Sequence, residues 1–384
     1  MRSMGQRIAW VGLAASVGCA SSVSLVDQDG ASVDASVDAA PPVDTTVADR
    51  EPATCPLPVD GPLRTPPTGA GAVVEVDEDI AFGCILRGDG RIRCRGSGVY
   101  GLFADGLDEG FRGNRMVTLP GLDDVRSFDV SAFVGCAVRG DGSVWCWGDN
   151  TGGRVHPDLP RRMLLPTRVP GIDGARRVAN GVLWMRPCVL LDGGRVHCWG
   201  AGVLPPEDEG RAIDVLSLAT HVCIRYEGDR ARCNVGGDGG VVTLGEGAAT
   251  HLSAGTSFVC ATDRAGSVSC WGYVPPNSRP VPTPADVGVR CATSIASGAF
   301  HTCASLTDGT VTCWGDNGYG QRGPGVTDPA PSRVPGIDRV VRVFRTASSS
   351  CALRDDGSLW CWGDGPITGY SHPAGLGVPF RVEW

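Results

Sequence analysis

Fourteen of the seventeen cysteines stand in seven pairs of one spacing, and that spacing limits the chemistry open to them. The pairs are Cys84/Cys94, Cys136/Cys146, Cys188/Cys198, Cys223/Cys233, Cys260/Cys270, Cys303/Cys313 and Cys351/Cys361, each ten residues apart. Structural zinc sites place cysteines about two to four residues apart and usually need four ligands. Here the six histidines follow no matching repeat. A nucleophilic thiol needs an activating base, and no histidine accompanies the pairs consistently. No metal, cofactor or catalytic thiol is therefore expected. Cross-strand disulfides are the natural reading, with small buried thiols as the alternative.

The residues between each pair specify a turn. Six residues after each first cysteine stands a glycine (Gly90, Gly142, Gly194, Gly266, Gly309, Gly357), or Asp229 in the fourth unit. A three-residue hairpin loop closed by a left-handed bulge residue needs positive φ there, which glycine adopts freely and aspartate tolerates. Closing the turn with Arg139 and Ser143 sets Val138 opposite Val144, Ala137 opposite Trp145 and Cys136 opposite Cys146. The cysteines then face each other at a non-hydrogen-bonded position with Cα atoms ~4.5 Å apart, within disulfide range. Arg139-Gly140-Asp141, repeated at Arg87 to Asp89, is an adhesion tripeptide elsewhere. Other units place Leu-Thr-Asp, Arg-Asp-Asp and Leu-Asp-Gly at that offset, so turn chemistry explains it. The apolar residues eight after each first cysteine (Ile92, Val144, Val196, Ala231, Val268, Val311, Leu359) read as core.

These hairpins need elements to hold them. With 56 glycines and 28 prolines, and no long apolar run at helical spacing, the chain reads as all-β, short strands joined by turns. Successive pairs begin 52, 52, 35, 37, 43 and 48 residues apart, the period of propeller blades or solenoid repeats. The net charge is −8, and all 34 basic residues are scattered arginines, which disfavours a nucleic-acid groove.

The N-terminal residues form a different kind of segment. Arg2 and Arg7 precede the apolar stretch Ile8 to Val17, too short to span a bilayer, and Ser16-Val17-Gly18-Cys19 follows. This resembles a bacterial lipoprotein signal over residues 1–19, which implies lipidation at Cys19; Ser16 departs from the usual pattern, and plain secretory cleavage is the alternative. Residues 20–67 read as a disordered acidic, proline-rich tether, since their apolar residues are too few and small to offset ordering. Export makes disulfides permissible. Cys55 and Cys291 lie outside the pairs and are read either as a staple between tether and sixth unit or as free thiols.

The stretch Gly298-Ala299-Phe300-His301-Thr302-Cys303-Ala304, then Asp308-Gly309-Thr310-Val311 and Cys313 to Gly323 (CWGDNGYGQRG), resembles the repeat of the regulator of chromosome condensation superfamily. CWGDN recurs at Cys146 to Asn150, CWG at Cys198 and Cys270, and CWGDG at Cys361. Units one and four depart from it, with Cys94-Arg95-Gly96 and Cys233-Asn234-Val235, and weaker local packing is expected there. The resemblance implies a seven-bladed β-propeller over residues 68–384. The tryptophans Trp147, Trp199, Trp271, Trp314 and Trp362 then read as packing between blades. Pro379-Phe380-Arg381-Val382 repeats a form seen before other units, so Phe380 to Trp384 is expected to complete the blade begun near Val73 and remove a sheet edge.

Function is sought in the loops, where propellers vary. The long loops carry Tyr100, Phe103, His156, Tyr273, Tyr319, Tyr370 and His372, the ligand-binding candidates, tyrosine being favoured at interfaces. The expectation is a non-enzymatic, exported binding module, anchored in the cell envelope by its lipid and presenting loops to a protein or glycan. An extracytoplasmic hydrolase with a site assembled from several loops is the alternative. The superfamily's nucleotide-exchange activity is not implied for an exported chain.

Overall fold

The protein is described by a computed structural model covering residue 55 and residues 65–384, apart from 80–81, 109–114, 154, 181–186, 200–209, 219–220, 236–239, 276–280, 329, 345, 370–376 and 384. The proposed signal segment, Cys19 and most of the tether lie outside the described residues. So do Tyr370 and His372.

Each cysteine hairpin forms the middle of an antiparallel sheet. Seven sheets follow one another along the chain, six of them four-stranded in simple sequence order. The third sheet has three strands among the described residues. The inner strands are Val73–Glu78, Val125–Val130, Ala175–Ala179, Ala212–Leu218, His251–Ala254, Ala292–Ser297 and Val340–Phe344. The fold is thus an all-β seven-bladed propeller.

Turn chemistry fixes the register as expected. Arg139 N donates to Ser143 O at 3.0 Å and Gly142 N to Arg139 O at 2.9 Å. Val138 pairs with Val144, Ala137 with Trp145 and Cys136 with Cys146. The turn glycine at 142 has φ +79°, and Asp229, its counterpart in the fourth unit, has φ +57°. Asp141 Oδ1 accepts both Ser143 N (2.9 Å) and Ser143 Oγ (2.6 Å), and Asp308 and Asp356 hold their own turns in the same way. These bonds keep the Asp141 carboxyl below its ordinary value. Arg139 donates to Asp123 O at 3.1 Å and lies over the Trp145 ring. The tripeptide's charged side chains are thus engaged with their own scaffold.

All seven hairpin pairs are disulfides, with Cα separations of 4.0–4.1 Å. An eighth, Cys55–Cys291, spans 236 residues of chain. It meets the propeller in the link between blades five and six. Eight disulfides point to an oxidising, extracytoplasmic setting.

Neighbouring blades share cores, and the tryptophans build them. Trp147, Trp271 and Trp362 are fully buried. Trp147 packs among Phe82, Leu102 and Phe103 of the preceding blade, and Trp362 among Val311, Val334 and Ile337. The indole N–H groups of Trp147 and Trp362 donate to Leu102 O and Gln321 O, each at 2.9 Å. The glycine after each tryptophan is equally constrained: Gly148 has φ +102°, and a Cβ there would lie 2.3 Å from Phe133 O.

The ring does not close by the expected strand exchange. Phe380 and Arg381 pair with Cys361 and Trp360, completing the blade that precedes them, while Val73–Glu78 is the inner strand of blade one. The Pro-x-Arg-Val form is therefore an outer strand ending its own blade, as at Ser332–Arg333. Blade one already owns an outer strand, Val117–Thr118, so no place is left for a C-terminal strand.

Closure is instead made by side chains. Val73, Val76 and Ile85 of blade one share a core with Phe344, Leu353, Ile367 and Val382 of blade seven. Where five of the other blades have tryptophan, blade one has Arg95, which is buried and attracted by the Glu78 carboxylate. Glu78 accepts from Ser349 Oγ and from Ile367 N, both at 2.7 Å.

Candidate functional site

Strand alternation gives the propeller two unlike faces. The tight cysteine turns and the links between blades emerge on one, the turn face. The other, the loop face, carries the turns after the inner strands together with all the long loops. The turn face is stitched by ion pairs such as Arg176–Asp192, Arg211–Glu227, Arg264–Asp229 and Arg339–Asp355. Such exposed pairs contribute little stability each.

On the loop face, the Asp-Asn that follows Trp-Gly organises the loops. Asn150 Nδ2 donates to His156 O and Leu159 O at 2.8 and 3.0 Å, while its Oδ1 accepts Val155 N at 2.8 Å. Asn317 does the same with Gly323 O, Val326 O and Arg322 N. Arg322, itself buried, donates to Gly315 O and Ala330 O. The role of these asparagines was not expected from the sequence, although their place after CWG was the available signal. Asn317→Ala strands three backbone groups. It is expected to raise backbone hydrogen exchange across residues 317–328 at least tenfold, with hairpin exchange unchanged, as read by exchange mass spectrometry.

The loop candidates divide into three groups. Phe103 is a correction: it is 1% exposed and packs edge-on against Phe82 at 5.2 Å, so it is core. It turns inward because its loop supplies the lid over the blade one core that Trp147 completes. Tyr100 and His156 serve their own surroundings. Tyr100 packs edge-on against Phe133 at 5.3 Å beneath the Arg162 guanidinium, and His156 Nδ1 accepts Asp158 N at 3.2 Å. Tyr273 and Tyr319 are 52% and 55% exposed.

A third exposed aromatic joins them. Phe300, in the turn after the inner strand of blade six, is 54% exposed. It occupies the position that Phe133 has in blade two, where Tyr100 covers it. Phe300 O accepts Asp316 N at 2.9 Å, tying the turn to the start of the Tyr319 loop. A Cβ on Gly315 would meet both Phe300 O and Pro275, which places the Tyr273 loop beside them. The three aromatics therefore stand on the loop face of the adjoining blades five and six. Phe300 was missed because its motif, Gly-Ala-Phe-His, reads as repeat consensus.

The axial channel is a concave feature, a cavity of about 470 Å³ lined by the inner strands. One register position carries a belt of mixed charge: Glu75, Arg177, Asp214, His251 and Arg342. Arg177 Nε lies 3.0 Å from Asp214. Inner strands have one edge without a sheet partner, and their N–H groups must be satisfied otherwise. Side chains of the preceding blade do so. Glu75 accepts Phe128 N, Asp77 accepts Val130 N, Ser253 accepts Ser297 N and Ser294 accepts Val343 N, at 2.7–3.2 Å. Burial raises the Glu75 carboxyl above its ordinary value, and burial together with Arg225 and Arg342 lowers the His251 imidazole. The belt thus fastens blade to blade.

The comparisons with known proteins agree with this geometry. The model of the regulator of chromosome condensation (RCC1) repeat matches residues 292–321 and 347–366. Among solved structures, the chain is similar to Prp20p of Saccharomyces cerevisiae, with 16% identity, 82% of this chain and 88% of that chain covered, and a TM-score of 0.65. Human WBSCR16 follows with 18% identity, 70% and 85% covered, and a TM-score of 0.58. The ectodomain of the Arabidopsis thaliana receptor kinase ACR4 has 18% identity, 82% and 99% covered, and a TM-score of 0.50. No curated protein matches the chain. At such identities the structural likeness carries the fold alone.

Proposed function

We propose that this seven-bladed propeller of RCC1 repeats is an exported binding module, held at the cell envelope through Cys19, whose loop face engages a protein partner. The observation that carries the reading is the group of Tyr273, Phe300 and Tyr319, each more than half exposed on adjoining blades. Large aromatic side chains left in water offer much contact area for little entropy, and they dominate interface energetics where they cluster. Precedent for binding on this fold comes from Prp20p, whose structure was described with its binding properties to Gsp1p and histones. The eight disulfides suit an exported module. For the hydrolase alternative, the channel acids Glu75 and Asp77 are engaged by backbone N–H groups of the next blade.

The test compares three immobilised forms of the full chain on cell-envelope extract: wild type, the Tyr273→Ser/Phe300→Ser/Tyr319→Ser variant, and the turn-face variant Arg176→Ser. The reading expects a polypeptide retained by wild type and Arg176→Ser but reduced at least tenfold on the triple variant, with melting temperatures alike. Equal retention on all three sinks it. Binding to a glycan array that is lost in the triple variant would reassign the partner to the glycan class.

A further inference from the structure

The axial channel carries more polar capacity than the fastening of its blades uses. Arg177 and Asp214 pair with each other at 3.0 Å. Arg225, which lines the same cavity, makes no hydrogen bond to the described residues: its Nη2 stands 4.0 Å from Asp214 and its Nη1 3.7 Å from Asp229. Its side chain is 20% exposed, and of its three nitrogens Nε alone is shut off from solvent. Arg342 gives one N–H to Val74 O at 3.1 Å and lies over the Phe344 ring, with no other hydrogen bond among the described residues. A guanidinium holds five N–H donors in a planar fork, so these two reach the cavity with most of their donors unengaged. His251 is exposed in the same space, with Nδ1 3.3 Å from Thr262 Oγ1. Glu75 supplies the opposite charge. Its Oε2 accepts Phe128 N, while Oε1 has only Arg177 at 3.9 Å, beyond hydrogen-bond reach.

The charges are sorted around the ring. Arg225, His251 and Arg342 come from blades four, five and seven, and Glu75, Asp77 and Asp129 from blades one and two. Asp77 and Asp129 lie one step of strand alternation beyond the belt toward the loop face, about 6.7 Å along the strands.

We infer that the axial channel binds a small zwitterion, its carboxylate held by Arg225 and Arg342 and its ammonium group facing the carboxylates of blades one and two. The mixture of signs selects this class. Among the described residues the walls carry four carboxylates and three guanidiniums. A polyanion such as phosphate meets repulsion from the acids, and a simple amine meets it from the arginines. A neutral sugar replaces the water on these ions without supplying a counter-charge. A ligand of no net charge that turns each of its ends to the opposite sign satisfies both walls. Leu216 and Phe344 line the same cavity and give an apolar side chain somewhere to lie. The volume of about 470 Å³ holds an amino acid or a dipeptide with some water. Free amino acids and short peptides share this chemistry, and the test separates them. The inference does not rest on the loop-face partner, because Tyr273, Phe300 and Tyr319 do not line the channel.

Isothermal titration calorimetry on the full chain provides the readout. The probes are the common amino acids, the homodipeptide of each, and acetate and ethylamine as single-charge controls. At least one zwitterion should bind with a Kd tighter than about 1 mM. Acetate and ethylamine should each bind about tenfold more weakly or worse, since each lacks one set of charge-assisted hydrogen bonds. An amino acid that binds more tightly than its dipeptide assigns free amino acids as the source, and the reverse order assigns peptides. Arg225→Gln should weaken the best zwitterion by about tenfold or more and melt within a few degrees of wild type, because Arg225 bonds to nothing that holds the fold. Arg225→Lys keeps the charge without the fork and should fall between the two. If Arg225→Gln melts much lower, Arg225→Lys and the single-charge controls on wild type decide. The inference is overturned if no zwitterion binds, if acetate binds as tightly as the best of them, or if wild type and Arg225→Gln bind alike. The Tyr273→Ser/Phe300→Ser/Tyr319→Ser variant should take the zwitterion as wild type does, which keeps this result separate from that of the envelope-extract experiment.

Discussion

Trp147→Ala is expected to destabilise the propeller by about 3–5 kcal/mol, the usual cost of emptying a buried aromatic site. The indole is fully buried in the core shared by blades one and two, and its N–H satisfies Leu102 O. Removing it opens a cavity and strands that carbonyl together. The melting temperature should fall by roughly 10 °C. Gly135→Ala attacks the same contact from the other side, since a Cβ there would sit 2.3 Å from ring atoms of Trp147. A rigid fused ring in a closed core cannot give way by that much, so the single variant should cost a similar amount. The sharper test is the cycle. In the Trp147→Ala background the added methyl meets a cavity, and Gly135→Ala should be nearly neutral or slightly stabilising. Additive melting shifts would show that the two residues do not act through one contact.

The second large effect belongs to the seam between blades seven and one. Burial raises the Glu78 carboxyl to about 7 from an ordinary 4.5, against the opposing pull of its bonds to Ile367 and Ser349 and of Arg95. Burial likewise lowers Arg95 to about 10. With the folded value above the unfolded one, the folded state holds the proton more tightly. Glu78 therefore contributes stability that is complete below about 4.5 and is lost as pH rises through about 7. His221 and His301, kept neutral by burial with values near 4, act in the opposite direction between about 4 and 6.5. The whole-protein profile mixes these trends, and the comparison with Glu78→Gln separates them. Chemical denaturation at steps from pH 4.5 to 7.5 should show wild type losing about 3 kcal/mol relative to the variant across that window. Parallel profiles would mean that Glu78 does not titrate there.

How much of this was legible in the sequence depended on whether the cause was local. The turn at Gly142, the register that sets Cys136 opposite Cys146, and the interblade role of Trp147 all follow from residues within one repeat. The position nine residues before the first cysteine, which holds Glu75, Ser127, Asp214, His251, Ser294 and Arg342, was equally visible. Its meaning was not, because Glu75 answers an N–H on Phe128 of the next blade. Ring closure was misread for the same reason. Pro-x-Arg-Val looks alike whether it ends one blade or begins another, and only the pairing of Phe380 with Cys361 decides. Phe103 and Phe300 exchanged expected roles, since a loop phenylalanine becomes core or surface according to what the adjoining blade lays over it.

The Cys55–Cys291 bridge changes how the molecule would bear a mechanical load. Tension arriving from the N-terminal side reaches Cys55 and passes through the bridge into the blade five to six link, 236 residues along the chain. The hydrogen bonds of Val73–Glu78 are then not peeled open one at a time. A pull is thereby taken into the link between blades five and six, leaving the seam at Glu78, which Ser349 and Ile367 help to hold shut, out of the line of force.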